Sequence, residues 1–147
     1  MAISLDPRLL EPGGRTEILD FYGDVFGWTE GDNSGESGNP LILYTGAFGQ
    51  FVYLLPAQPF LHAPPMDHFG LQVDSREELE AIVERAKRRA ASDERVRVVD
   101  VEERVTHGRT ASYTLTSAYV GFLLPLMVEL QHLERHEGEA EGADQPA

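Results

Sequence analysis

Met66-Asp67-His68-Phe69-Gly70-Leu71-Gln72-Val73-Asp74-Ser75-Arg76-Glu77-Glu78 is the stretch on which the fold turns. From Asp67 to Val73 polar and apolar residues alternate, the two-residue period of a strand with one face on a core. Phe69, Leu71 and Val73 share the apolar face, and His68, Gly70 and Gln72 share the other. Ser75-Arg76-Glu77-Glu78 has the spacing of a capping box: the serine oxygen accepts from the Glu78 amide while the glutamate reaches back. Leu79, Ile82, Val83 and Ala86 then fall at i, i+3, i+4 and i+7, which is one helix face. Acidic residues crowd the first turns of this helix and Lys87, Arg88 and Arg89 the last, so both ends oppose its dipole favourably.

Outward from this segment the chain keeps one rhythm. Val96 to Val101, Ala111 to Tyr119 and Leu126 to Gln131 read as strands that follow the helix. In the amino-terminal half, Ile18, Phe21, Tyr22, Val25 and Phe26 repeat at helical spacing. Thr16 or Gly14 is expected to cap that helix, and Gly27 to take the left-handed conformation after its end. Leu41 to Thr45 and Gln50 to Leu55 read as a hairpin around Gly46-Ala47-Phe48-Gly49. The Gly/Asn/Ser stretch from Gly31 to Asn39 reads as a flexible turn region. Four prolines between Pro56 and Pro65 cannot continue a ladder, so a linker is expected there. The division expected is a first module over 1–60, a proline-rich linker over 61–66, a second module over 67–135, and a disordered acidic tail over 136–147. Phe51-Val52-Tyr53-Leu54-Leu55 and Met127-Val128-Glu129-Leu130-Gln131 look like equivalent closing strands of the two halves.

Composition bounds the function. The chain has 147 residues, 41% of them apolar, which is enough for a core without staples. Twelve basic against 25 acidic residues give a net charge of -13, and the pI is near 4.6. Such a field repels a duplex or an anionic bilayer, so neither nucleic acid nor membrane is an expected partner. With no cysteine there is no disulfide, thiolate metal site or thiol nucleophile. Met1 to Asp6 lacks the pattern of a secretory signal. The least polar stretch, Tyr119 to Val128, is far short of the ~20 residues of a membrane span and contains Pro125. A soluble, cytoplasmic protein is expected.

The sequence resembles the vicinal oxygen chelate superfamily, which holds glyoxalases, extradiol dioxygenases and bleomycin-resistance proteins. Asp20-Phe21-Tyr22-Gly23-Asp24-Val25-Phe26-Gly27-Trp28, Met66 to Asp74 and Leu126 to Gln131 carry the likeness, which extends from about Ile3 to Glu134. The resemblance implies an α+β fold of two βαβββ modules forming a cup-shaped mixed sheet with outer helices. A ferredoxin-like sandwich is the runner-up, but needs neither eight strands nor a proline hinge. The resemblance further implies a divalent metal on four ligands, one from the opening and one from the closing strand of each module. His68 and Glu129 match the two ligand positions of the second module. Tyr53 stands at the closing position of the first, and Ser4, Asp6 or Arg8 at its opening position, depending on register. Two of the four expected ligands are therefore present, and the identity of the metal is open.

Alternation places His68 and Glu129 toward a shared hollow without help from the resemblance. Met127, Glu129 and Gln131 share one face of the closing strand, and Leu126, Val128 and Leu130 the other. A carboxylate in so apolar a strand costs several kcal/mol if buried alone, and so demands a metal, a cationic partner, a proton or water. His68 and Glu129 are the candidate catalytic and metal-ligating residues. Tyr53, Gln72, Tyr113, Tyr119, Met127 and Gln131 are the candidate lining of a substrate pocket. His107 is placed in a turn-like stretch; His62, His132 and His136 are read as bystanders, and Gly13-Gly14 lacks a phosphate-loop pattern. Three functions fit: a metal-dependent lyase or dioxygenase, a metal-free module that sequesters a small or drug-like molecule, and a metal-free enzyme in which Glu129 moves a proton. A small-molecule ligand and a homodimer are the expected partners.

Overall fold

The computed structural model describes residues 1–36 and 38–136, so the segment 137–147 of the expected tail lies outside the described residues. The element order is β1 (Ala2–Leu5), a 3-10 turn (Pro7–Leu10), α1 (Pro12–Phe26), β2 (Thr29–Glu30), β3 (Leu41–Tyr44), β4 (Phe51–Pro56), β5 (His68–Gln72), α2 (Arg76–Ala90), β6 (Arg97–His107), β7 (Ser112–Gly121) and β8 (Met127–His136). Strand, helix and three strands thus occur twice. Among the described residues they form two four-stranded mixed sheets, ordered β1-β4-β3-β2 and β5-β8-β7-β6. In each, the opening strand runs parallel to the closing one and the remaining pairs are antiparallel. This is the expected glyoxalase-like α+β architecture. β1 and β5 are both edge strands, because among the described residues no strand pairing joins the two sheets.

Local chemistry explains both helices. Ser75 Oγ accepts from the Glu78 amide at 3.0 Å, as the capping box requires. Glu78 Oε2 reaches back to the Asp74 amide at 3.1 Å, one residue earlier than the motif implies. The first helix departs from expectation. It starts at Pro12, with Glu11 in the N-cap position and no side-chain cap, so Gly14 and Thr16 are interior and cap nothing. Proline at the first helical position supplies a preset φ and lacks an amide that would be unpaired there anyway. Gly14 is required for another reason: a Cβ there would press on the Leu9 backbone, 2.6 Å from its carbonyl carbon. Gly27 ends α1 in the left-handed conformation, φ 73°, donating to the Gly23 carbonyl.

The apolar faces of both helices pack on the sheets and on each other in one core. Ile18, Phe21, Tyr22 and Val25 of α1 meet Leu79, Ile82, Val83 and Ala86 of α2 in the same buried cluster. Tyr22 donates its hydroxyl to the Phe122 carbonyl at 2.9 Å, and Phe122 stacks on Phe21 with centroids 4.4 Å apart. Arg85 donates to the Val25 carbonyl at 3.0 Å, and Arg89 pairs with Asp20. The two halves are therefore joined through their helical layer.

Two stretches are longer or better organised than their composition suggests. β6, β7 and β8 run well beyond the apolar core, and β8 continues to His136. His107 consequently closes β6 rather than sitting in a turn, with its Nδ1 3.0 Å from Ser112 Oγ. The 31–40 loop is gathered around the buried guanidinium of Arg15, which donates to the carbonyls of Asn39 at 2.9 Å and Gly35 at 2.5 Å and to Ser34 Oγ at 3.3 Å.

Candidate functional site

Val128 and Leu130 are fully buried against the helical layer, which forces Glu129 onto the opposite face of β8. Phe69 and Leu71 likewise pack on the core, leaving His68, Gly70 and Gln72 on that opposite face. The parallel register sets Gly70 beside Glu129 and His68 beside Met127. His68 Nε2 lies 3.3 Å from Glu129 Oε2, so the residues sixty-one positions apart (129 − 68 = 61) do meet. Its Nδ1 lies 2.8 Å from the Met66 carbonyl. A carbonyl only accepts, so Nδ1 carries a proton and Nε2 is the nitrogen offered to the carboxylate. That contact is attractive only with a proton on Nε2 or on the carboxylate, or with a donor between them.

Glu129 is only 7% exposed, and two side chains donate to it. Tyr119 donates its hydroxyl to Oε1 at 3.2 Å, and Gln131 Nε2 donates to Oε2 at 2.7 Å. Partial burial, then the negative charge of Glu129, push the Tyr119 hydroxyl above its usual range, so it stays a donor. Its ring meets the His68 ring edge-on at 5.0 Å. Gly70 makes this cluster possible. The Gln131 carboxamide occupies the space a side chain at Gly70 would fill, lying 3.3 Å from where its Cβ would be. Among the described residues no lysine or arginine forms an ion pair with Glu129; a hydrogen-bonding cluster offsets the desolvation of its charge.

The remaining sequence candidates are dispersed. Gln72 is exposed beside Gln131. Met127 is 1% exposed and offers no surface to a ligand, which corrects its placement in a pocket lining. Tyr113 sits between Thr106 and Arg135 on the outer part of β7, away from Glu129. Tyr53 belongs to the other sheet. His132 and His136 lie on β8, where four residues span about 13 Å, so they cannot share a metal. His136 instead meets Thr114 Oγ1 at 2.6 Å, and the His62 ring lies 4.6 Å from that of Phe60.

The sheets carry separate cavities. One of about 370 Å³ is lined by Glu102, Arg104, Leu115, Ser117, Tyr119 and Glu129. A larger one of about 990 Å³ lies on the first sheet, against Ile42, Tyr44, Phe48, Phe51 and Tyr53 with Asp32 and Asn33 at its rim. Tyr53 and Glu129 therefore line different hollows within one chain. The larger cavity was missed because its aromatic residues read as ordinary strand formers; the Tyr44, Phe51 and Tyr53 alternation was the available signal.

Residues 16–120 match the family model described as Glyoxalase/Bleomycin resistance protein/Dioxygenase superfamily. The chain belongs to this superfamily. Among solved structures it is similar to a lactoylglutathione lyase from Agrobacterium tumefaciens, with 18% identity over 89% of each chain and a TM-score of 0.53. A bleomycin resistance determinant encoded on the transposon Tn5 gives 13% identity over 90% of this chain and 95% of that one, TM-score 0.53. A glyoxalase/bleomycin resistance protein from Albidiferax ferrireducens T118 gives 12% identity over the same shares, TM-score 0.53. These likenesses show the fold. No curated protein sequence matches the chain.

Against the metal centre that superfamily membership implies, this donor set falls short. His68 is oriented as a ligand would be, with its second nitrogen tied to a carbonyl. Among the described residues Glu129 is the only carboxylate within ion-pair distance of it. Asp6 is spent on Arg8: its oxygens take the Arg8 amide at 3.1 Å and the guanidinium at 3.1 and 2.5 Å, which also hold the Asp6 carboxyl below its usual range. The register pairs Ala2 with Tyr53 as it pairs Gly70 with Glu129, so Ser4 lies farther along β1 than His68 does along β5, and Asp6 lies past the end of β1. Among the described residues no three His, Asp or Glu side chains converge. Two protein ligands are fewer than the three a catalytic zinc or non-haem iron site takes. The residues present do not fit that centre.

Proposed function

We propose that this superfamily member binds a small organic molecule against the helix-free faces of its sheets, anchoring a polar group of it at Glu129, and that it does so without a metal. The observation that carries this reading is the buried Glu129 carboxylate at the wall of an open cavity, held by Tyr119 and Gln131 and facing His68. A ligand donor that replaces water there gains a charge-assisted hydrogen bond in a partly desolvated place. The His68–Glu129 contact favours a second reading, in which the pair passes a proton to or from the bound molecule. We propose a homodimer as the working form, since β5 is an edge strand of its sheet that a second copy would cover.

The test has two arms. Equilibrium dialysis of wild type and His68→Ala against Mn²⁺, Ni²⁺ and Zn²⁺ is expected to show no stoichiometric uptake; uptake by wild type alone refutes the metal-free reading. A thermal-shift screen of small organic molecules is expected to yield binders whose shift is lost in Glu129→Gln. Binders that stabilise both proteins equally refute the Glu129 anchor.

A further inference from the structure

We infer that the outer end of the second sheet is a docking face for the acidic segment 137–147 of the same chain. Docking there is independent of what binds at Glu129. Tyr119 and Glu129 are register partners, so the pairs that follow at every second residue outward lie on the same face: Ser117 with Gln131, Leu115 with Leu133, and Tyr113 with Arg135. β6 adds Glu102, Arg104 and Thr106 to these three rows.

The two outermost rows form a patch of their own. Leu115 lies between Arg104 and Leu133, and Tyr113 between Thr106 and Arg135. Tyr113 and Leu133 are exposed, at 36% and 46%. An apolar centre is thus flanked by one guanidinium on the β6 side and one on the β8 side. Arg76, Lys87, Arg89 and Arg95 of the same module each pair with a carboxylate, whereas among the described residues Arg104 and Arg135 are in no ion pair. In a chain with 25 acidic and 12 basic residues, a Tyr–Leu–Leu surface between two such arginines fits an acidic partner. Glu102, one row inward beside Ser117, ends the patch and repels that partner from the Glu129 end of the face.

The chain carries such a partner next to the patch. β8 ends at His136, in register with Ser112 at the tip of the sheet. Glu137-Gly138-Glu139-Ala140-Glu141-Gly142-Ala143-Asp144 follows, four carboxylates without a basic residue. Eleven residues reach up to about 36 Å, and Leu133 lies only about 10 Å back along β8, so the segment is long enough to double back over the patch. In an extended chain Glu137, Glu139 and Glu141 fall on one side at intervals of about 7 Å, the same spacing that separates the Arg104 row from the Arg135 row. Tethering keeps these carboxylates at a roughly millimolar local concentration, so weak, exposed pairs suffice to hold the segment.

The test compares wild type with a full-length protein whose segment is neutralised, Glu137→Gln/Glu139→Gln/Glu141→Gln/Asp144→Asn. Backbone amide NMR shifts of Thr106, Tyr113 and Leu133 are expected to differ between the two at about 0.05 M salt and to converge at about 1 M. An N-acetylated peptide of residues 137–147, titrated into both, is expected to bind the neutralised protein about threefold or more tighter than wild type, whose own segment competes. Arg104→Gln and Arg135→Gln, each added to the neutralised protein, are expected to weaken the peptide about threefold. Arg88→Gln, at an exposed position of α2, is expected to leave it unchanged. Shift differences confined to residues 134–136, no peptide binding to the neutralised protein, or equal binding to both proteins overturns the assignment. An Arg88→Gln effect as large as the other two overturns it as well, because the attraction is then not local. So does a larger mass for wild type than for the neutralised protein in sedimentation, because the segment then docks on a second copy.

Discussion

Tyr22→Phe removes a single oxygen from the middle of the molecule and tests whether the two modules fold as one. Tyr22 is fully buried, and burial pushes its hydroxyl well above the usual range, so it is a permanent donor. Its partner, the Phe122 carbonyl 2.9 Å away, belongs to the turn after β7, a hundred residues along the chain. Phenylalanine keeps the ring in its stack with Trp28, whose centroid is 5.2 Å away, and removes one of the two donors to that carbonyl, which keeps the Leu124 amide at 2.6 Å. Losing one buried hydrogen bond costs about 0.5–1.5 kcal/mol, a factor of about 2 to 13 in the unfolding constant. For a chain of this size that lowers Tm by roughly 1–6 °C. Urea unfolding followed by the fluorescence of Trp28, the only tryptophan, reads this directly. The midpoint is expected to fall with the slope unchanged, in one transition. A change below about 0.5 kcal/mol, the level of an ordinary surface substitution, refutes the reasoning. Two resolved transitions in wild type refute the shared core.

Adjacent glycines should respond in opposite directions. Gly14→Ala is expected to destabilise by about 1–3 kcal/mol, because its Cβ meets the Leu9 backbone, whereas Gly13→Ala, with nothing within 4 Å, is expected to gain about 0.5 kcal/mol; thermal melts of both decide. Acid should weaken the fold in a stated window. The Arg95 guanidinium and amide lower the Asp93 pKa from 3.8 to about 2, so between those values the unfolded chain takes up a proton that the folded chain refuses. Tm is therefore expected to fall on acidification through that range, and less steeply in Asp93→Asn; parallel curves for the two proteins contradict the assignment.

Much of the second module was legible because its signals agree with one another. Alternation from Asp67 to Val73 and the Ser75 cap named strand and helix, and the same alternation in Met127 to Gln131 turned Glu129 toward His68. The start of α1 was not legible, since it depends on Pro12 following Glu11 and on the contact of Gly14 with Leu9, neither of which is a side-chain cap. The outer halves of β6 and β8 escaped because Glu102 to His107 and His132 to His136 carry too little apolar periodicity; they are held by cross-strand partners that only the register reveals. No sequence pattern singles out Arg15, and only the fold shows carbonyls converging on it. The allocation of Tyr53 and Glu129 to different hollows follows from sheet connectivity, which pairwise patterns do not encode.

The Arg15 anchor has an evolutionary corollary. Asp32 and Asn33, at the rim of the larger cavity, sit on a loop anchored from beneath by one guanidinium gripping main-chain oxygens. Main-chain oxygens exist whatever side chains the loop bears, so the rim residues are free to diversify while their scaffold persists. Selectivity can then drift rapidly among descendants of this chain at no expense to folding, provided that one cation stays put.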